Sequence, residues 1–185
     1  MFWNFLRAFP SAELRQLLAE LNRSHLDYDA SLEDGIAFNR SGKPFFAKQL
    51  SGFSDIEEWG RWTTGSEARI EFNEPLPEDF IIELVAKAFG PNADIDFEFQ
   101  AGNSKSKLRV HKYEMRTYRV FVQNPERADL LTIAIPQPAS PHSLGLSDDQ
   151  RMLGLGLSSL KIKPSGEARR LSLRWKRWLS ALKHS

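Results

Sequence analysis

The spacing of polar and apolar positions changes twice along this chain. Near the start, Leu14, Leu17, Leu18 and Leu21 recur at intervals of three and four behind Ser11. That spacing, with a residue able to cap, predicts a short helix over residues 11–22. From Gly35 the period becomes two. Ile36 and Phe38 alternate with Ala37 and Asn39, and Lys43-Pro44-Phe45-Phe46 follows the Ser41-Gly42 turn. Arg69 through Asn73 alternates cleanly, and Phe80, Ile82, Leu84, Ala86 and Ala88 share one face of the next run. Ile95, Phe97 and Phe99 then oppose Asp94, Asp96 and Glu98, before further runs at Leu108–His111, Tyr118–Val122, Leu131–Ile135 and Leu155–Ile162. Turn clusters such as Glu74-Pro75-Leu76-Pro77, Gly90-Pro91-Asn92 and Asn124-Pro125 separate them. Short alternating runs punctuated in this way predict about eight strands and a β-sandwich or barrel. After Pro164-Ser165-Gly166 the helical period returns, with Leu171, Trp175, Trp178, Leu179 and Leu182 on one face. The expected organisation is a helical segment over 1–34, a β domain over 35–164, and a basic amphipathic helix over 165–185.

Composition narrows the function classes. The chain has 185 residues, 41% apolar and 26% charged, with a net charge of +1. A dedicated nucleic-acid-binding domain is usually clearly basic, so nucleic acid is not an expected partner. Cysteine is absent. That excludes a thiolate metal site, a cysteine nucleophile and a disulfide scaffold. No apolar run approaches the roughly 18 residues that would span a bilayer, and the Phe- and Trp-rich start makes a poor signal peptide. The expected location is therefore cytoplasmic, or peripheral at the inner membrane. The small net charge hides a split, with −9 across residues 51–100 and +8 across 151–185. The basic, Trp-bearing terminal stretch fits an interfacial anchor on anionic lipid, with Arg174, Trp175, Arg177 and Trp178 as the contact residues. It equally fits a helix docked on a partner or on the body of the protein.

Catalytic signatures are scarce. His25, His111, His142 and His184 lack metal-ligand spacing. Gly154-Leu155-Gly156-Leu157-Ser158 lacks the lysine and following helix of a phosphate loop, and reads as a glycine-containing strand. No Gly-x-Ser-x-Gly elbow occurs. Asp94, Asp96 and Glu98 could hold Ca²⁺ with loop oxygens, or form the wet face of a half-exposed strand. No metal, cofactor or catalytic residue is expected. The richest stretch is Ser54 through Gly65, where Trp59 and Trp62 flank Gly60-Arg61 with carboxylates just before. Sugar rings present apolar C–H faces to aromatic rings, while nearby polar groups fix their hydroxyls. On an alternating strand, Trp59 and Trp62 would point to opposite faces, one buried and one exposed. Asp148 and Arg151 are expected to pair and order the preceding loop.

Several motifs occur in an order that resembles a known family. They are Gly52-Phe53-Ser54, Glu58-Trp59-Gly60-Arg61-Trp62-Thr63-Thr64-Gly65, Glu74-Pro75-Leu76-Pro77-Glu78-Asp79-Phe80 and Ala86-Lys87-Ala88-Phe89-Gly90-Pro91-Asn92. Pro138-Ala139-Ser140-Pro141 and Leu144 through Leu157 complete the set. Together they resemble the C-terminal, non-catalytic domain of the bacterial phosphoglycerol transferases that act on osmoregulated periplasmic glucans. The resemblance implies an all-β antiparallel sandwich of jelly-roll, carbohydrate-binding-module type, flanked here by the two helical segments. It implies no catalysis, since the transferase chemistry of that family resides in a separate metal-dependent domain. The expected function is a non-catalytic glycan-binding or accessory module of envelope polysaccharide metabolism. Its partner would be an envelope glycan or glycolipid, through Glu58, Trp59, Arg61, Trp62, Asn92 and His142. The alternative is a structural adaptor that binds an anionic membrane surface or a glycan-modifying enzyme through the terminal helix.

Overall fold

The computed structural model describes residues 26–111 and 114–164. Both expected helices, with Arg174, Trp175, Arg177 and Trp178, lie outside these residues.

Ten strands form two antiparallel sheets. They are β1 (Ile36–Ala37), β2 (Ala47–Ser51), β3 (Arg61–Thr64), β4 (Glu67–Phe72) and β5 (Asp79–Ala88). Then follow β6 (Asp96–Ala101), β7 (Ser104–Arg109), β8 (Arg116–Gln123), β9 (Leu130–Ala134) and β10 (Leu153–Pro164). One sheet runs β3-β10-β5-β8, with the short β1 beside β3 along the same flank of β10. The other runs β2-β4-β9-β6-β7. Without β1 and β2, the orders are 3-10-5-8 and 4-9-6-7, the double Greek key of a jelly roll. The fold is an all-β sandwich, as expected.

Alternation decides the core. Phe80, Ile82, Leu84, Ala86 and Ala88 of β5 are completely buried, while the intervening residues are half exposed. They meet Phe97 and Phe99 of β6, Leu131 and Ile133 of β9, and Ile70 of β4 from the opposite sheet. β10 keeps step with β5 through one irregularity. Leu157 pairs with Ala86 and Ser159 with Val85, so Ser158 is an extra residue, a β-bulge. The bulge lets Leu155, Leu157, Leu160 and Ile162 all face the core although their spacing is not uniformly two. It also leaves Gly156, Lys161 and Lys163 on the outer face, in register with Lys87, Glu83 and Ile81.

Two sequence expectations shift. The strand expected around Pro44–Phe46 begins only at Ala47, because Pro44 to Phe46 form the turn that enters β2. Asp94 is not a strand residue; it sits in the turn before β6 with a φ of 63°.

Candidate functional site

On the outer face of the first sheet, Trp62 of β3, Gly156 of β10 and Lys87 of β5 lie in one line of register. Trp62 is 9% exposed and packs with Phe89, Ala139 and Leu153 in a small cluster separate from the main core. Its ring meets Phe89 edge to face, with centroids 5.6 Å apart. Trp59 joins the same cluster from a tight turn. Glu57 and Gly60 exchange both backbone hydrogen bonds, at 2.8 and 3.1 Å, leaving Glu58 and Trp59 as the two turn residues. Gly60, with a φ of 149°, lies so close to β10 that a Cβ there would stand 2.0 Å from the carbonyl oxygen of Leu157. A side chain is excluded, and the turn can sit directly on the bulged strand.

This geometry corrects the expectation that Trp59 and Trp62 diverge. The turn, not a strand, presents Trp59, so the alternation rule does not apply to it. The two rings meet edge to face at 5.0 Å on the same side of the sheet. Gly156 makes the room: a Cβ there would lie 2.8 Å from Trp62 and 2.9 Å from Trp59.

Charged groups surround the pair. The Lys87 Nζ stands 3.7 Å from the Trp59 ring centroid and 4.9 Å from that of Trp62. A cation placed over an aromatic face is stabilised by about 1 kcal/mol, more as it loses water. Partial burial pushes the Lys87 ammonium pKa down, and the nearby Glu57 charge opposes that shift. The Trp59 Nε1 donates to Glu57 Oε2 at 2.8 Å, which fixes the indole plane. Glu57 Oε1 in turn lies 3.5 Å from the Arg151 guanidinium. Arg151 binds Asp149 through Nε and Nη2, the latter at 2.6 Å, so a bidentate clamp closes the loop before β10. Its hydrogen bonds lower the Asp149 pKa and raise that of Arg151. The partner of Arg151 is thus Asp149, one residue on from the expected Asp148. Ile56 and Met152, chain neighbours of Glu57 and Arg151, are both exposed.

The six expected glycan contacts separate in space. Trp59 and Trp62 meet, and Glu58 stands exposed beside them in the turn. Arg61 projects to the opposite face of β3, where its Nη2 donates to the Arg40 carbonyl at 3.2 Å. Asn92 is completely buried. Its Nδ2 donates to the Phe89 and Gln137 carbonyls at 3.1 and 2.7 Å, and its Oδ1 accepts from the Gln137 amide at 3.0 Å. With those bonds made and no surface exposed, Asn92 positions the loops that carry Phe89 and Ala139 rather than touching a ligand. His142 is exposed in the loop before β10, and its backbone amide donates to the Asp149 carbonyl at 2.9 Å. Sequence reasoning passed over Lys87, Glu57 and Asp149. Lys87 stands in the sequence only as part of a family motif, and the β5–β10 register is what brings it over Trp59.

The acidic groups on and just before β6 are each paired with a basic one. Asp96 pairs with Arg109 at 2.9 Å, Glu98 with Lys105 at 2.7 Å, and Asp94 with His111. Among the described residues, no group of His, Asp and Glu is arranged to hold a metal ion. Likewise, no helix among them is long and apolar enough to cross a membrane. The Gly154–Ser158 stretch is part of β10, as its glycine spacing suggested.

Residues 20–164 match the family described as a domain of unknown function, DUF7024. The chain belongs to that family. It is also similar to proteins named phosphoglycerol transferase I from Salmonella choleraesuis (strain SC-B67), Citrobacter koseri and Salmonella paratyphi B. Each is 38% identical over 133 residues, which is 70% of this chain and 17% of the relative. The chain therefore corresponds to about a sixth of the length of these relatives. No solved structure matches it.

Proposed function

We propose that this DUF7024 domain is a non-catalytic glycan-recognition module, an accessory to envelope-glycan chemistry of the kind that phosphoglycerol transferases perform. The observation that carries this reading is the aromatic pair Trp59–Trp62, built on the outer face of the sheet over Gly156 and ringed by Lys87, Glu57 and Arg151. Sugar recognition calls for an apolar ring surface beside fixed donors and acceptors, and this cluster has both. The kinship over 133 residues supports an association with phosphoglycerol transferase chemistry, and the match to only 17% of those relatives fits an accessory role.

In this reading Trp59 is the contact ring. Lys87 covers its face in the free protein and would swing aside to donate to a hydroxyl or ring-substituent oxygen. Glu57 holds the indole plane, and Glu58 offers an exposed carboxylate. Trp62 and Asn92 support the platform from below. A panel of envelope glucans and oligosaccharides, followed by tryptophan fluorescence, tests this. Wild type should show a saturable change that Trp59→Ala loses while its circular dichroism stays intact. A flat response across the panel, or equal binding by Trp59→Ala, would remove the reading.

The second reading, carried by the basic amphipathic pattern of residues 167–183, is an adaptor docked on an anionic membrane or a partner enzyme. Flotation with anionic vesicles separates the two readings. Only the adaptor loses binding on truncation after Pro164, and only its lipid binding weakens with salt.

A further inference from the structure

The Lys87 ammonium shows which charge the aromatic platform attracts. Its Nζ stands 3.7 Å from the Trp59 ring centroid and 4.9 Å from that of Trp62. Both lie within the roughly 6 Å over which an aromatic face holds a cation. The two rings are inclined at 71°, so they form a corner rather than a flat floor, and one cation is within reach of both. Among the described residues, Lys87 forms no ion pair. Partial burial pushes its pKa down, so the ammonium has given up part of its hydration to sit there.

The surroundings favour positive charge as well. Trp59 Nε1 donates to Glu57 Oε2 at 2.8 Å, and donation to a carboxylate raises the electron density of the indole and its attraction for a cation. Glu58, the next turn residue, is exposed and forms no ion pair among the described residues. The Arg151 guanidinium is committed to Asp149 through Nε and Nη2. With Lys87 turned into solvent, the indoles are left with Glu57 and Glu58 in the same turn. An anionic ligand would meet like charge there. A neutral one would displace Lys87 without replacing its contact, whereas a second ammonium replaces it one for one.

We propose that the platform selects a glycan carrying a protonated amine, an amino sugar, and that Lys87 is the internal cation which this ligand displaces. The proposal rests on the reading of the platform as a glycan site and names the chemistry that the site prefers. An amino sugar brings both parts together: an apolar C–H face for an indole, and an ammonium for the corner. Lys87 is half-exposed on a flexible four-carbon stem, so it can leave without disturbing β5 and regains its water when it does.

The test is titration of the full chain with a glucosamine oligosaccharide, with its N-acetylated counterpart of equal length as the neutral arm, followed by tryptophan fluorescence. Wild type should bind the free amine at least about tenfold more tightly, and tetramethylammonium chloride should displace it where sodium chloride of equal strength does not. Lys87→Met removes the competing cation and should tighten binding about threefold or more. Glu58→Gln changes an exposed side chain, should leave the fold intact, and should weaken binding about threefold to tenfold. Trp59→Ala should lose it; if that variant does not fold, Glu58→Gln and Lys87→Met decide. Equal or tighter binding of the N-acetylated oligosaccharide, or weaker binding by Lys87→Met, would overturn the proposal and leave the glycan reading standing. Amine binding that survives in folded Trp59→Ala is attraction to the acidic surface at large and would overturn it too. A flat response to both oligosaccharides and to neutral glucans would remove both readings.

Discussion

Replacing Gly156 by alanine adds one methyl group beneath the aromatic pair. The new Cβ would stand 2.8 Å from Cζ3 of Trp62, and 2.9 and 3.0 Å from Cη2 and Cζ3 of Trp59. Carbon atoms pack best at about 3.5–4.0 Å, so at least one ring must move by several tenths of an ångström. Overpacking of this kind costs about 1–3 kcal/mol. Alanine also restricts the unfolded chain, which offsets about 0.4–1 kcal/mol. The expected net loss is about 1–2 kcal/mol, or a melting temperature lower by about 3–8 °C for a domain of this size. Trp62 is wedged between Phe89, Ala139 and Leu153, whereas Trp59 is half-buried at the end of a turn, so Trp59 is the ring that yields. Its movement should open the Lys87 contact and shift tryptophan emission. Thermal melts and emission spectra of Gly156→Ala, Trp59→Ala and the double variant form a cycle. The penalty for Gly156→Ala should fall to less than about half when Trp59 is already absent, since neighbouring changes of this kind are not additive. An unchanged melting temperature and emission in Gly156→Ala, or a full penalty in the Trp59→Ala background, would refute the packing argument.

Other outcomes follow from the same structure. Asn92→Ala should lose about 1–3 kcal/mol in urea titration, because it removes the side-chain bonds that tie the Gln137 amide and carbonyl to the Phe89 turn; a loss below about 0.5 kcal/mol would contradict its role. Gly154→Ala should be worse than Gly156→Ala, because its Cβ would come within 2.3 Å of Ile135 Cγ2 in the packed interior; equal melting temperatures would argue otherwise. Glu83 accepts a hydrogen bond from Arg119 and another from Lys163, which hold its carboxyl below the usual carboxylate range. A depressed folded-state pKa means that this stabilisation is complete above the ordinary carboxylate pKa of about 4.3 and disappears as pH falls through the folded value. Glu83→Gln should therefore cost about 1 kcal/mol at pH 7, a difference that shrinks as the pH falls through the folded-state pKa, by urea titration across that range.

The sandwich was legible because its strands obey a period of two. Phe80 through Ala88 announced which face of β5 would be buried, and Phe97 and Phe99 did the same for β6. β10 was harder to orient, because the bulge at Ser158 breaks the period and only pairing with β5 restores it. The candidate site was half legible. Trp59 and Trp62 stood out by composition, yet alternation set them apart, because the hydrogen bonds that make Glu57–Gly60 a turn involve backbone alone. Glu57 and Arg151 are 94 positions apart, and no local pattern links them. Nothing local marks Lys87, which meets the indoles only because the neighbouring strand places a glycine opposite it. Arg61, one position from Trp62, was grouped with it by proximity in sequence, although adjacent strand residues face opposite ways.

A glycan-recognition module of this build would bind its ligand on the platform of Trp59, Trp62 and Lys87. Amide and indole NMR of labelled protein during titration with an envelope glucan tests it most directly. Saturable shifts should concentrate on the Trp59 indole, Lys87 and Gly156, with the same midpoint for all three. Shifts confined to the opposite end of the sandwich, around the pocket of about 280 Å³ lined by Glu78, Asp79, Ser104, Gln123 and Pro125, would contradict it.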